Sequence, residues 1–408
     1  MQIELLRRAN RFEVDLDAIG HNLGEVRRIV GDSVQVFAAL KANAYGFGLV
    51  EVADAALSAG ADALAVADAS DAVRLRRHGV EAPILLYPGS LPTPEVVAAA
   101  EAHALILSVH SRESARGYAE LAARRIRVFV KVDVGMERLG IPASEAVGFI
   151  EELGRAPKLE LGGLYTHIDV PARPGAERYI TWQYERFDAV CAELARRGLA
   201  VPIMMAASSA VLRFSPAMRM TAVDPGHLLF GFAPTGPATV SIDLRPAFRA
   251  LKSRLIQVRH LDRAEYVEWS PVGPRAGARI GVIPIGLRDG MANLNCGEVL
   301  VRGRRVPIVG GLSLEHTRVD LTAVPDAAVG DEAVVVGSQS GGRITPDEVI
   351  ARQGFAVKAE LALAVRDSVP RFFIGSRHSA DSIRGEGTPS ERARDTRRRR
   401  PARVPSRS

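Results

Sequence analysis

The sequence predicts an α/β protein, a (β/α)8 TIM-like barrel followed by a mainly β C-terminal domain, on three observations. Between about residues 30 and 235, short apolar runs alternate with stretches at helical spacing, eight times over. From about Leu251 that alternation stops, and short β-branched runs separated by Gly and Pro turns take its place. Finally, the residues able to do chemistry fall at the ends of the apolar runs, where such barrels build their active sites. An open doubly wound sheet is the alternative that strand counting leaves.

The strand candidates are Val34–Leu40, Ala63–Ala67, Ile84–Tyr87, Ala104–Val109, Val128–Val132, Leu161–Thr166, Ile203–Ala206 and Leu228–Phe230 or slightly before. Helical spacing fills the gaps, as in Ala69–His78 and Trp182–Arg197. In the second domain the candidates are Arg279–Ile285, Glu298–Val301, Val306–Val309 and Ala333–Val336. Two glycine-bearing loops, Gly286–Gly290 and Gly310–His316, lie among them, with a structural role as the default. We assign residues 1–245 to the barrel, 246–375 to the β-rich domain and 376–408 to a tail.

Composition narrows the class. The 408 residues are 47% hydrophobic and 25% charged, as in a soluble globular protein with room for two domains. No run of 18 or more apolar residues is present, and the start has no signal-peptide pattern, so a cytoplasmic setting is expected. Cys191 and Cys296 stand in no ligand spacing and read as free thiols, with no metal site expected. The net charge of +6 belongs to the end of the chain, where ten arginines between Arg377 and Arg407 face Asp381, Glu386, Glu391 and Asp395. That tail, with Arg397–Arg400 and no apolar period, is expected to be disordered. A basic run can touch nucleic acid, but no aromatic residues interleave to stack on bases.

At the end of the first run the chain reads Val36-Phe37-Ala38-Ala39-Leu40-Lys41-Ala42-Asn43-Ala44-Tyr45-Gly46-Phe47-Gly48. A lysine leaving a buried strand is partly desolvated, which lowers its pKa and frees the amine as a nucleophile toward aldehydes. An ordinary strand-end lysine is the other reading of the spacing. Arg138 follows the fifth run, His167 ends the sixth, Ser208 and Ser209 follow the seventh, and Pro225-Gly226 lies around the eighth. Reactive and anion-binding residues at five strand ends describe one site.

The run A-x-x-K-A-N-A-Y-G-x-G around Lys41 resembles the cofactor lysine segment of alanine racemases, fold-type III pyridoxal-phosphate enzymes. The resemblance extends over roughly residues 10–373 through K-V-D-x-G-M-x-R-L-G at 131–140, T-H at 166–167 before Gln183 and Phe187, A-A-x-S-A at 206–210, P-G at 225–226 and the V-x-D-L-T-like V-D-L-T at 319–322. It implies pyridoxal 5'-phosphate held as a Schiff base on Lys41. It further implies a phosphate held by Tyr45, Ser209 and the backbone at Gly226 and His227, and an Arg138 that meets the ring oxygen and the substrate carboxylate. In the family the lysine matching Lys131 is often carbamylated to hold that arginine. A homodimer with composite sites is implied as well, each second-domain loop reaching the partner's barrel.

Four positions depart from the family pattern. Leu287 stands where a tyrosine serves as second catalytic base, and leucine cannot exchange a proton. Asp224 stands where an arginine meets the pyridine nitrogen; a carboxylate stabilises the protonated ring and makes it a stronger electron sink. Ala359 replaces a phosphate-binding tyrosine. Leu314 and Glu315 replace a methionine and aspartate, Leu314 as a substrate-side residue, and His316 follows. The expected activity is therefore at Cα of a small amino acid, with Lys41, Asp224 and His167 as catalytic candidates. Retro-aldol cleavage, decarboxylation, transamination, elimination or racemisation with another base all fit, and efficient two-base alanine racemisation does not. His167 is also expected to orient the Asp224 carboxylate and to line the cofactor site. An alanine or other amino-acid racemase making D-amino acids is the alternative within this class, and a non-catalytic cofactor carrier the alternative outside it.

Overall fold

The computed structural model describes residues 8–261 and 277–375, so the Arg-rich segment from residue 376 lies outside the described residues. Strand β1 (Arg11–Asp15) precedes the barrel, and β2 (Gln35–Ala39), β3 (Ala63–Val66), β4 (Ile84–Leu86), β5 (Ile106–Val109) and β6 (Ile126–Asp133) follow. A two-residue β7 (Ile141–Pro142) flanks β6, and β8 (Leu159–Tyr165), β9 (Ile203–Ser208) and β10 (Ala222–Asp224) complete the ring. Every adjacent pair is parallel, and β10 pairs back onto β2, which closes the barrel and excludes the open sheet.

The first seven barrel strands lie within two residues of their expected edges. The eighth does not: Leu228–Phe230 form part of a 3-10 turn, His227–Phe230, and the strand is Ala222–Asp224. Pro225 and Gly226 end it. The three apolar residues that suggested a strand are fully buried in the turn instead, where Asn22 Nδ2 donates to Leu229 O at 3.0 Å. The helix expected from Trp182 starts earlier, spanning Ala176–Arg196, because Ala176 and Ile180 continue its buried stripe.

Period-two alternation sorts the barrel strands into two cores. Phe37, Ala63, Ala65, Leu85, Ile106, Phe129, Tyr165, Ile203, Met205 and Ala222 fill the interior, while their neighbours in sequence pack outward against the helices. Large and small residues complement one another there. A Cβ on Gly163 would stand 2.9 Å from the Phe129 ring and 3.0 Å from Ile203 O, so glycine on β8 makes room for phenylalanine on β6.

The second domain contains β11 (Phe248–Arg254), β12 (Gln257–His260), β13 (Arg279–Ile283), β14 (Glu298–Val301), β15 (Arg304–Pro307), β16 (Thr317–Asp320), β17 (Glu332–Gln339), β18 (Gly342–Ile344) and β19 (Arg371–Ile374). One sheet runs β15-β14-β17-β11-β1-β19, with β18 on β17, and a second runs β12-β13-β16. The chain thus opens in the second domain's sheet, between β11 and β19, before Asp15 caps the first barrel helix through Ala18 N at 2.9 Å. Phe12 on β1 lies 4.6 Å from the Phe248 ring and 5.7 Å from Phe47, which stacks on Phe230 at 4.6 Å. These rings tie the second sheet to the segments after β2 and β10.

After β2 the chain makes a left-handed turn. Ala42, Asn43, Ala44 and Tyr45 have φ of 53–55°. Left-handed backbone costs an L-residue about 1–2 kcal/mol, so four in succession need compensation. It comes from Ala44 N to Leu40 O and Gly46 N to Ala42 O, both 2.9 Å, and from Leu49 N donating to Asn43 Oδ1 at 2.9 Å. Gly46 continues at φ 86°, and a Cβ there would run into the backbone of Ala362.

Ala42 is exposed, so replacing it isolates the backbone cost. Ala42→Val should lower stability in urea titration by about 2 kcal/mol, since a β-branched residue fits this region worst. Ala42→Gly should leave it nearly unchanged, the relief being offset by a more flexible unfolded chain.

Candidate active site

The inward register that fills the barrel core continues, two residues further on, into the site. Phe37 leads through Ala39 to Lys41, Leu85 to Tyr87, Phe129 to Lys131, Tyr165 to His167, and Ala222 to Asp224. These end residues open onto a cavity of 580 Å3 at the carboxyl ends of the strands. Arg138, from the irregular loop after β6, lines it too, as do Tyr45, Ser209, Gly226 and His227.

Half-buried Asp169 lines this cavity, and Asp224 is its buried carboxyl group. It is 8% exposed, and burial pushes its pKa up, against the pull of a hydrogen bond from Tyr87 Oη to Oδ2 at 2.8 Å and of Lys41 and Lys131. Lys41 is open to the cavity, yet the surrounding protein desolvates its amine and lowers its pKa, an effect that Asp224 opposes and Arg138 reinforces. Its Nζ lies 5.9 Å from the Tyr45 ring and 6.0 Å from the Tyr87 ring. Lys131 is buried with Nζ 4.8 Å from the Tyr165 ring, and desolvation carries its pKa down to about 8. Tyr165 Oη meets Ser108 Oγ at 2.8 Å below it. Burial, with Lys131, Lys41 and Arg138 nearby, drives the His167 pKa down to about 3, so its imidazole is neutral at neutral pH. The carboxylate's hydrogen bond comes from Tyr87; among the described residues none comes from His167, contrary to expectation.

At the other end, Ser209 Oγ accepts from Gly226 N at 2.9 Å and Leu228 N at 3.3 Å. A Cβ on Gly226 would collide with the Tyr45 phenol, so only glycine lets hydroxyl and amides converge. Desolvation keeps the Tyr45 hydroxyl protonated and holds His227 below its usual pKa. These are neutral donors gathered at one point, suited to an anion.

Leu314 is not brought to the cavity within one chain. It is 72% exposed, and Leu287 is 41% exposed. Their loops hold each other through Leu287 N to Ser313 O at 3.0 Å, Arg288 N to Leu314 O at 2.9 Å and an Arg288–Glu315 ion pair at 2.8 Å. Buried Asp289 fixes the first loop, accepting from Arg8, from Ser368 Oγ at 2.8 Å and from Gly286 N at 2.9 Å. The loop's shape therefore rests on residue 289 and is indifferent to what stands at 287.

Sequence reasoning passed over Tyr87. Its signal was available, because it follows inward-facing Leu85 by two residues at a strand end.

A (β/α)8 barrel with a desolvated lysine, an anion-binding corner and a free guanidinium at the strand ends defines a lysine-centred enzyme. A family model described as alanine racemase, N-terminal domain, matches residues 14–234, and one described as alanine racemase, C-terminal domain, matches residues 248–373. Alanine racemase 2 of Caldanaerobacter subterraneus subsp. tengcongensis is 33% identical over 374 residues, 90% of this chain and 95% of that protein. The alanine racemase of Methanococcus maripaludis is 33% identical over 369 residues, 89% of this chain and 98% of that protein. Among solved structures, the Bacillus anthracis alanine racemase with bound L-Ala-P superposes with a TM-score of 0.81 at 30% identity, covering 90% of this chain and 96% of that one. The chain belongs to the alanine racemase family, a family of pyridoxal 5'-phosphate enzymes.

The residues present fit that cofactor. The Gly226 cradle and its donors suit a phosphate, and Lys41 lines the same cavity with a lowered pKa, as an aldehyde-binding amine requires.

Half-buried, neutral His167 gives a pH test on the cofactor-free protein. The unfolded chain takes up its proton near pH 6.5 and the folded chain only near pH 3, so this contribution to stability is complete above pH 6.5 and is lost as pH falls toward 3. His167→Gln should flatten the urea midpoint against pH across that window; an unchanged slope would place the acid sensitivity elsewhere.

Proposed function

We propose that this member of the family acts at Cα of a small amino acid with Lys41 as its single strong proton-transfer group, and that alanine racemisation is slow. The observation that carries this is the Asp224 carboxylate, buried at the end of β10 beside Lys41, where the family pattern has an arginine. Pyridoxal phosphate, when bound, supplies an electron-withdrawing ring that delocalises the charge left at Cα as one of its bonds breaks. Asp224 would hold a proton at the pyridine nitrogen, because the pair gains more in a dry pocket than in water. Lys41 would move the proton at Cα on its own face. Arg138, with no acidic partner among the described residues, would take the substrate carboxylate in bidentate fashion. His167, neutral and inward-facing, is placed to accept a hydrogen bond or a proton.

Racemisation through another base is the second reading, favoured by the names of the relatives. Proton NMR of the holoenzyme with amino acids in deuterated water separates the two. Lys41-dependent Cα exchange, aldehyde release or loss of carbon dioxide, with alanine inversion about 10²–10⁴ slower than ordinary racemase rates, is expected. Fast alanine inversion by the wild type would return the chain to a plain two-base racemase.

Leu287→Tyr should raise alanine inversion at least tenfold without lowering the melting temperature, since residue 287 is 41% exposed and the loop hangs on Asp289. No gain would mean that this loop does not reach a site.

We further propose a homodimer in which exposed Leu287 and Leu314 face the partner's cavity. Light scattering should report a dimer. Leu314→Asp should weaken it and lower turnover together, whereas a fully active monomer would exclude composite sites.

A further inference from the structure

Tyr87 is a half-buried titratable group to which the family pattern gives no role, and it makes a hydrogen bond to the cavity's buried carboxylate, Asp224. Its hydroxyl donates to Asp224 Oδ2 at 2.8 Å from the far side of the barrel mouth, since β4 and β10 are separated by β3 and β2. The link spans strands that share no ladder, so it positions the carboxylate as the backbone alone does not. Oδ2 is thereby occupied, and Oδ1 is left as the acceptor available to a ligand.

Resting on the reading that Asp224 meets the pyridine nitrogen, we infer that Tyr87 is the positioning residue that keeps Asp224 anionic, so that the shared proton resides on the ring. The physics is a competition. Burial by itself favours the neutral acid, and a carboxyl that kept its own proton would leave the pyridine uncharged. A phenol donating to Oδ2 stabilises only the anion, because a neutral carboxyl is a much weaker acceptor. The other groups acting on Asp224 are Lys41 at the end of β2, Lys131 on β6, Tyr45 in the left-handed turn and Tyr165 on β8. The two lysines also favour the anion, but neither has a hydrogen bond to it among the described residues. Lys41 is moreover the amine that engages the cofactor and so ceases to be a free cation there. Besides the backbone N–H of Asp224 itself, Tyr87 is the donor that remains throughout. Desolvation and the adjacent carboxylate push its own pKa well up, so it stays a donor over the working pH range.

Nitrogen-15 NMR of holoenzyme reconstituted with ring-labelled pyridoxal phosphate tests this. The wild type should show a protonated pyridine nitrogen at neutral pH. Tyr87→Phe should move the shared proton from the ring toward the carboxyl, changing its partition at neutral pH by about ten- to a hundredfold, as loss of a hydrogen bond to a charged group predicts. Replacing Tyr87 with 3-fluorotyrosine, a more acidic phenol of nearly the same size, should move it the opposite way, which loss of packing does not do. In an Asp224→Asn background, Tyr87→Phe should have no further effect. A protonated ring in the wild type with the same proton partition in both Tyr87 variants would overturn the role of Tyr87 alone. An unprotonated ring in the wild type would overturn the Asp224 reading and Tyr87's role with it.

Discussion

Closure of the eight-stranded ring is the constraint on which the rest depends. Once β10 pairs with β2, every second residue of every strand must point into a space that no solvent fills. Deep in the ring that space is packed by Phe37, Phe129, Leu85 and Met205, with Gly163 and Ala63 yielding volume to the larger neighbours. Further along, the same register brings two lysines, a tyrosine, a histidine and an aspartate to the mouth. The catalytic candidates converge because they continue a packing pattern, and no separate device is needed to gather them.

The mouth is electrically lopsided. Four cations, Lys41, Lys131, Arg138 and Lys358, line it with two carboxylates, buried Asp224 and half-buried Asp169, and the surplus of positive charge suits ligands that bring a phosphate and a carboxylate. Desolvation then acts with opposite sign on the two kinds of group, lowering the lysine amines and raising the Asp224 acid, so both are drawn toward neutral pH. That is the condition under which small changes in hydrogen bonding decide where a proton sits.

The second domain is bound to the barrel through its most strained segment. The left-handed turn that carries Lys41 into Tyr45 leads to Phe47, whose ring packs between Phe12 of the second sheet and Phe230 of the turn after β10. Gly46 lies directly under the backbone of Ala362. A conformation that costs several kcal/mol is thereby held from three sides, which keeps the lysine fixed relative to the anion-binding corner.

Much of this was legible in sequence. Alternating apolar runs and helical spacing locate seven barrel strands, because a fully buried parallel strand must be apolar throughout. Lys41, Arg138, His167 and Ser209 stand out because reactive residue types at strand ends are conspicuous against that background, whereas Asp224 stands out only as a departure from the family's arginine before Pro-Gly. The eighth strand was not legible, because Leu228, Leu229 and Phe230 are as apolar as a strand and only tertiary packing makes them a buried turn. Nor was Tyr87 legible as Asp224's partner. Which strand end faces which across a barrel is set by ring order and stagger, and a hydrogen bond between β4 and β10 has no trace in local sequence. The sequence by itself determined which groups reach the mouth, through period and residue type. The tertiary structure decided which of them touch, because contact across a closed ring depends on curvature that no single strand encodes.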